Sequence, residues 1–401
     1  MFARGFVRGP EHLELSVISY YVSHVRPFFG ILASYLFASR HHFYRIFLRD
    51  APIIDLRLDQ AKLQVSFILK VCDFFYYCKN NWHMIHLDWS VSLMSLYPHV
   101  KQALSLLPPT EPSAEEIVRS RQLEPTLVPP LEDRPHVPSV EDFTIPGPAG
   151  EIPVRLYTPK GEGPFPLFVF YHGGGFVLGS IETHDVVCRI LARETRCKVI
   201  SVGYRLAPEH AFPAAPDDAY AAAQWVAEHA KSLNGDPERL FVGGDSAGGN
   251  LAAVVALMAR DRGTPFIAKQ VLLYPVTDFH EHETPSIYPS YHENATGYGL
   301  TNQKMSHFWN FYLKNREDRM NLYASPIRAK DLSGLPPALL ISIEKDVLRD
   351  EGEWFGEQLR EAGVPVMSKR IKGTIHGYLR MFPDQVETQE TMELITSFII
   401  D

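Results

Sequence analysis

The chain has 401 residues, of which 45% are hydrophobic and 21% charged, a globular balance that excludes a wholly disordered polypeptide. Lysine and arginine number 39 against 47 acids, a formal net charge of −8, so the chain lacks the basic surplus that neutralising nucleic-acid phosphates requires. The four cysteines, Cys72, Cys78, Cys188 and Cys197, are too few for a disulfide framework and lack the CxxC spacing of structural zinc.

The amino terminus, MFARGFVRGPEHLELS, has neither the apolar h-region nor the small-residue cleavage site of a secretory signal. The longest charge-free apolar run, Pro27 to Ser39, lies between Arg26 and Arg40 and is too short to span a bilayer unaided. A soluble, cytoplasmic protein is the resulting expectation, with membrane association through the amino-terminal residues as its alternative. An Asn-Ala-Thr sequon begins at Asn294 and has meaning only if the chain meets a glycosylation machinery.

Residues 1–94 read as a helical extension, rich in Phe, Tyr, His and Leu and bare of chemical motifs. Leu58 to Cys78 has apolar residues around most of a helical circumference, so it should be buried or associated with something. The extension has two readings: an added packing layer, or a module that docks on a membrane surface or a partner. From residue 95 to 138 come two short helical patterns, HVKQALSLL and a segment opened by the capping-box spacing of Ser113 and Glu116. Pro125, Pro129, Pro130, Pro135 and Pro138 then make an extended connector, since proline neither continues a helix nor donates to a ladder.

From residue 139 to the end the pattern becomes α/β. DFTIP and IPVRLYTP read as an antiparallel hairpin. Pro166 to His172, Lys198 to Tyr204, Arg239 to Ser246, Gln270 to Asp278, Pro336 to Asp346 and Val364 to Gly373 read as strands. Helical patterns lie between most of them, which predicts a mostly parallel, eight-stranded sheet with helices on both faces. Residues 279–335 interrupt the alternation with an aromatic helical segment, Lys304 to Leu313, and read as an insertion over the site.

Gly244-Asp245-Ser246-Ala247-Gly248 is the only G-x-S-x-G in the sequence. An apolar strand runs into it and a small-residue helix runs out, so a sharp turn should hold Ser246 at a helix N-terminus, with room only for glycine two residues to either side. His172-Gly173-Gly174-Gly175-Phe176 directly follows a strand; its glycines let backbone amides approach an oxyanion, and the amide of Ala247 would join them. Phe176-Val177 supplies no Walker lysine. A serine nucleophile needs a base and the base an orienting carboxylate, both on loops after later strands. His376 follows the final strand. His41, His42, His99 and His136 precede the sheet and read as surface or packing residues, and His172 reads as an anchor of the glycine loop. Asp346 ends the preceding strand, whereas Asp350 and Glu351 are explained by the start of a helix. The order Ser246, Asp346, His376 is that of α/β-hydrolases.

At HGGGF 172–176, YRLAPEHAFPAAPDDAY 204–220, GDSAGGN 244–250, DVLRDEG 346–352 and IHGY 375–378, the chain resembles the hormone-sensitive-lipase-like family of α/β-hydrolase carboxylesterases, over roughly residues 95 to 401. The resemblance implies Ser246 as nucleophile, Asp346 and His376 as its partners, and amides of Gly173, Gly174 and Ala247 as the oxyanion hole. It also implies a cap made of the helices near 95–135 and the insertion, with Asp245, Arg205 and Glu209 bracing the loops. The expected activity is hydrolysis of short- to medium-chain acyl esters of small molecules, with no metal or organic cofactor. The rivals are a ligand-binding receptor without turnover and a deacetylase or lactonase using the same triad. A homodimer is one assembly left open.

Overall fold

The structure is a computed structural model that describes residues 96–107 and 112–400, together with an antiparallel pair of short strands, Tyr44–Ile46 and Ile54–Leu56. The chain divides into two units, Met1–Asp88 and Trp89–Asp401, and the second carries every motif that bears on chemistry. The expected helix from Leu58 to Cys78 lies outside the described residues.

Eight strands of the second unit form one sheet: β1 (Ser139–Gly147), β2 (Gly150–Thr158), β3 (Phe165–Tyr171), β4 (Lys198–Val202), β5 (Gly235–Asp245), β6 (Lys269–Leu273), β7 (Ala338–Lys345) and β8 (Val366–Ile375). Their order across the sheet is β1-β2-β4-β3-β5-β6-β7-β8. The β1–β2 and β2–β4 pairs are antiparallel and the remainder parallel. The central strands are nearly continuous apolar runs because both faces are covered. Leu167, Val169 and Tyr171 of β3 face one core with helices α4 (Ala214–Glu228), α5 (Ala247–Arg262) and α7 (Arg349–Glu361). Phe168 and Phe170 face the other, closed by α3 (Asp185–Thr195) and α8 (Val386–Ile400).

Two elements depart from the pattern that the sequence predicts. Helix α8 is missing from that pattern, although Met392, Ile395 and Phe398 give it a buried face. Strand β6 stops at Leu273 instead of running to Asp278, because Tyr274 takes a positive φ of 39° and Pro275 follows; a proline offers the ladder no donor.

The two amino-terminal helices are α1 (Pro98–Ser105) and α2 (Ala114–Ser120). At α2 the capping box is complete: the Glu116 amide donates to Ser113 Oγ at 3.3 Å and the Ser113 amide to Glu116 Oε2 at 2.8 Å. Arg121, just past α2, donates to the Val177 carbonyl at 2.6 Å, to both Glu209 oxygens at 2.8 and 2.9 Å, and to the Ala207 carbonyl. It thereby pins α2 onto the loops around the glycine run. In the insertion, α6 (Asn302–Tyr312) packs Tyr312 flat on Phe176 at 3.8 Å between ring centroids. No helix among the described residues is long and apolar enough to cross a membrane.

Beneath the β1–β2 hairpin, the fully buried Asp185 carboxylate accepts from Arg134 at 2.8 Å, Arg155 at 3.0 Å, Arg189 at 2.6 Å and Tyr157 at 2.8 Å. Burial pushes this carboxyl up, but the Arg134, Arg189 and Tyr157 hydrogen bonds outweigh it and hold it below the ordinary aspartate range. Its stabilising contribution is therefore present above the unfolded-state value near 3.9 and lost as pH falls through the lower folded-state value. Asp185→Ala, which takes the carboxylate partner from Arg189 and the acceptor from Tyr157 while Arg134 and Arg155 keep Glu182 and Asp142, should cost about 3 kcal/mol in urea unfolding at neutral pH, and the deficit relative to wild type should shrink below about pH 4.

Candidate active site

β5 ends at Asp245 and α5 begins at Ala247, so Ser246 occupies the whole of the connection. Its backbone sits at φ 56°, ψ −118°, a conformation that side-chain-bearing residues hold only when their surroundings over-determine it. Those surroundings are visible. The Ser246 amide donates to the Leu273 carbonyl at 2.9 Å, and its carbonyl accepts from Asn250 and Val276, both at 3.1 Å. A Cβ at Gly244 or Gly248 would run into the Tyr171 carbonyl oxygen, so both glycines are there because β3 meets the end of β5 and the start of α5 backbone to backbone.

Ser246 Oγ lies 2.9 Å from His376 Nε2, and His376 Nδ1 lies 2.7 Å from Asp346 Oδ2. The three side chains that sequence order selects thus meet in one hydrogen-bonded line. His376 follows the last residue of β8 and Asp346 the last of β7, at the carboxyl end of the sheet. The other Asp346 oxygen accepts the Leu348 amide at 3.0 Å, which fixes the carboxylate's plane. Ser246 is 6% exposed and the His376 side chain 12%, so the reacting atoms are reachable through a narrow opening only.

The glycine run requires one correction. The Gly173 amide donates to Asp245 Oδ1 at 2.9 Å, so it is occupied by the protein and is not an oxyanion donor. The amides of Gly174, Gly175 and Ala247 have no acceptor among the described residues, which leaves them available to a substrate oxygen where the Gly173 amide is not. Three adjacent glycines carry no mark of which amides face the serine; the distinguishing signal is the aspartate beside the nucleophile, which needs a donor of its own. Asp245 also lies 3.3 Å from His184 Nε2. Burial raises its carboxyl, yet His184, the Gly173 amide and His376 bring it below the ordinary value. It stays an anion whose task is to hold the loop.

His172 behaves as the expected anchor. Its ring stacks on Tyr204 at 4.3 Å, Nδ1 lies 2.8 Å from the Gly173 carbonyl, and the Tyr204 hydroxyl donates to the His172 carbonyl at 2.7 Å. Burial pushes it down to about 3, so it is neutral. Arg205 grips Asp218 with two bonds of 2.8 Å, and Glu209 accepts both bonds from Arg121; each pair braces the loops around the site. His136 is exposed. His99 packs with Tyr97 and lies 2.7 Å from the buried Glu387. His41 and His42 lie outside the described residues.

Asp350 and Glu351 do more than complement a helix terminus. Asp350 accepts the Ser290 amide at 2.6 Å, and Glu351 accepts the Thr277 amide at 2.7 Å and the Tyr291 hydroxyl at 2.9 Å. Ser290 Oγ donates to the Val347 carbonyl at 2.6 Å and Asn294 Nδ2 to the Asp346 carbonyl at 3.0 Å. The insertion is thus latched to the loop carrying Asp346. These partners are far apart in sequence, and nothing local announces them. Asn294 is 1% exposed, so the sequon is closed to modification in the folded chain.

Known proteins resemble this chain in sequence and fold. The alpha/beta hydrolase fold family matches residues 168–380. The chain is 47% identical to the carboxylic ester hydrolase LipN of Mycobacterium tuberculosis over 249 residues, 61% of this chain and 65% of that one, so the match spans just under two thirds of that relative. It is 38% identical to the carboxylesterase NlhH of the same organism over 301 residues, covering 72% of this chain and 91% of NlhH. A hyperthermophilic esterase from Pyrobaculum calidifontis superposes with a TM-score of 0.68 at 43% identity, over 76% of this chain and 97% of its own. If Asp245 holds the amides in place, Asp245→Ala should lower kcat about 10²-fold, the loss typical of one mis-set oxyanion donor, with the folded fraction unchanged by circular dichroism.

Proposed function

The chain belongs to the alpha/beta-hydrolase family, and on that premise we propose that it is a serine carboxylesterase acting on small-molecule esters through an acyl-enzyme on Ser246. The observation that carries the reading is the continuous line from Ser246 Oγ through His376 to Asp346, at 2.9 and 2.7 Å. Family membership alone would leave the chemistry open, because one fold hosts many functions. A receptor without turnover has no need of a base aimed at a strained serine.

The chemistry comes from the atoms. His376 Nε2 takes the Ser246 proton as Oγ forms a bond to the ester carbonyl carbon, and the carbonyl oxygen becomes an oxyanion among the amides of Gly174, Gly175 and Ala247. The N-terminus of α5 adds its positive dipole end at the same place. Asp346 keeps the imidazole in one tautomer and balances the imidazolium. Collapse breaks the ester C–O bond, and His376 returns the proton to the leaving alkoxide. Water then enters, gives its proton to His376, attacks the acyl carbon and releases the acid with Ser246 restored.

Short acyl groups are favoured by what lies against the glycine run. A Cβ at Gly175 would fall within the ring of Phe308 from α6, and Phe308 is itself only 8% exposed. An aromatic ring lodged beside an oxyanion donor leaves little room for a long chain.

A p-nitrophenyl ester series from acetate to laurate tests the reading. Wild type should turn over with a preference for the short esters, and Ser246→Ala should lose at least 10³-fold in kcat; near wild-type turnover by Ser246→Ala would end it. Phe308→Ala should shift the preference toward longer esters with Ser246-dependent turnover retained, read as the ratio of kcat/KM for octanoate over butyrate.

A further inference from the structure

The base in this site has a neighbour that the mechanism does not use. The Tyr274 ring meets the His376 imidazole edge-on, 5.0 Å between centroids at 69°. It also meets Tyr378, two residues further along the same loop, at 5.5 Å. Between them Gly377 turns the chain at φ 77°, so the loop straddles the Tyr274 ring. Both separations lie in the range of favourable aromatic contacts.

The backbone of Tyr274 is as unusual as that of Ser246. It takes φ 39° without being glycine, and its amide donates to the Ile341 carbonyl at 2.6 Å. The residue before it, Leu273, accepts the Ser246 amide at 2.9 Å, and Val276, two residues after it, donates to the Ser246 carbonyl at 3.1 Å. One turn therefore holds the nucleophile's main chain on either side while presenting a ring to the base. Its hydroxyl is buried and has no hydrogen-bond partner among the described residues. Burial, with Asp245 and Asp346 nearby, keeps that phenol protonated far above its ordinary range. An outlying backbone beside a reacting group, with no polar contact to justify the side chain, points to the ring itself as the working part.

We propose, resting on the esterase reading above, that Tyr274 is a positioning residue whose ring fixes the tilt of the His376 imidazole so that Nε2 stays aimed at Ser246 Oγ throughout the proton transfers. The two hydrogen bonds of His376 restrain the ring along their own direction and resist its tilt only weakly, as does its single bond to Cβ; a ring packed at its side restrains that tilt. Small angular errors in a proton-transfer group weaken the chemical step without touching substrate binding.

The test uses the full chain with Tyr274→Phe and Tyr274→Leu, p-nitrophenyl butyrate as substrate, and a fluorophosphonate probe to count reactive serines. Tyr274→Phe should match wild type within twofold in kcat and KM. Tyr274→Leu should lose at least tenfold in kcat per folded molecule, keep KM within twofold, and react with the probe at least tenfold more slowly. Equal losses in Phe and Leu would transfer the role to the hydroxyl and overturn the proposal. So would a Leu variant with wild-type kcat, or one whose loss is matched by its unfolded fraction in thermal melts. Absence of Ser246-dependent turnover in wild type would instead defeat the underlying esterase reading, which keeps the two failures apart.

Discussion

The site depends on the contact between two main chains at the end of the sheet. β3 and α5 approach until the Tyr171 carbonyl lies where a side chain at position 244 or 248 would begin. That approach forces the connection into a single residue and puts Ser246 at φ 56°. Strain of this kind is of order 1–3 kcal/mol and persists only because neighbouring strands hold the residue from both sides. The same contact sets the height of the serine above the sheet, the start of α5, and the position of the Ala247 amide.

Each remaining part of the machinery is fastened to that fixed point by a different element. β6 supplies the turn that binds the Ser246 main chain. β7 and β8 end one residue short of Asp346 and His376, so the carboxylate and the imidazole stand at the carboxyl end of the sheet with little slack. The glycine run is tied by Asp245, which sits in the chain directly before the nucleophile and accepts the Gly173 amide. Serine and oxyanion loop are therefore registered through adjacent residues of one strand end. α2 and the insertion enter from outside: Arg121 secures the loops behind the glycine run, while Ser290 and Asn294 secure the loop behind Asp346.

Most of the sheet is legible in the sequence because strands covered on both faces write themselves as β-branched and aromatic runs, and the triad is legible because its members sit at the ends of those runs in a fixed order. Ser113 with Glu116 announces a helix start by spacing alone. What is illegible has physical reasons. β6 reads too long because Tyr274 and Val276 look like strand residues, while the break is made by a positive φ that tertiary contacts impose. Gly173 looks like a donor facing substrate, although the Asp245 carboxylate, 72 positions away, claims its amide. α8 keeps a helical period on its buried face, but Glu387, Thr388 and Thr391 occupy the first half of that face, so it does not stand out as an apolar stripe. Asp350 and Glu351 look like dipole partners because their true partners, Ser290, Thr277 and Tyr291, are distant in sequence.

The two sides of the fold treat buried carboxylates in opposite ways, and this bears on how rigidly each side holds the site. Asp185 is surrounded by guanidinium groups and ends below its ordinary value, so it is an anion whose removal leaves Arg189 without a carboxylate partner. Glu351 has no cation among its hydrogen-bond partners; burial, reinforced by Asp278, pushes it well above the ordinary glutamate value despite the donors of Thr277 and Tyr291. Because the folded state then holds its proton more tightly than the unfolded state, the Glu351 contribution is largest below the unfolded value near 4.3 and declines as pH rises from there toward the folded value. Acid thus removes the Asp185 contribution beneath the hairpin, and base removes that of Glu351 at the insertion. Asp350, which holds Ser290 of the insertion, and Asp245, which holds the Gly173 amide, are both kept below the ordinary aspartate value, so falling pH loosens contacts beside the triad as well as at the hairpin.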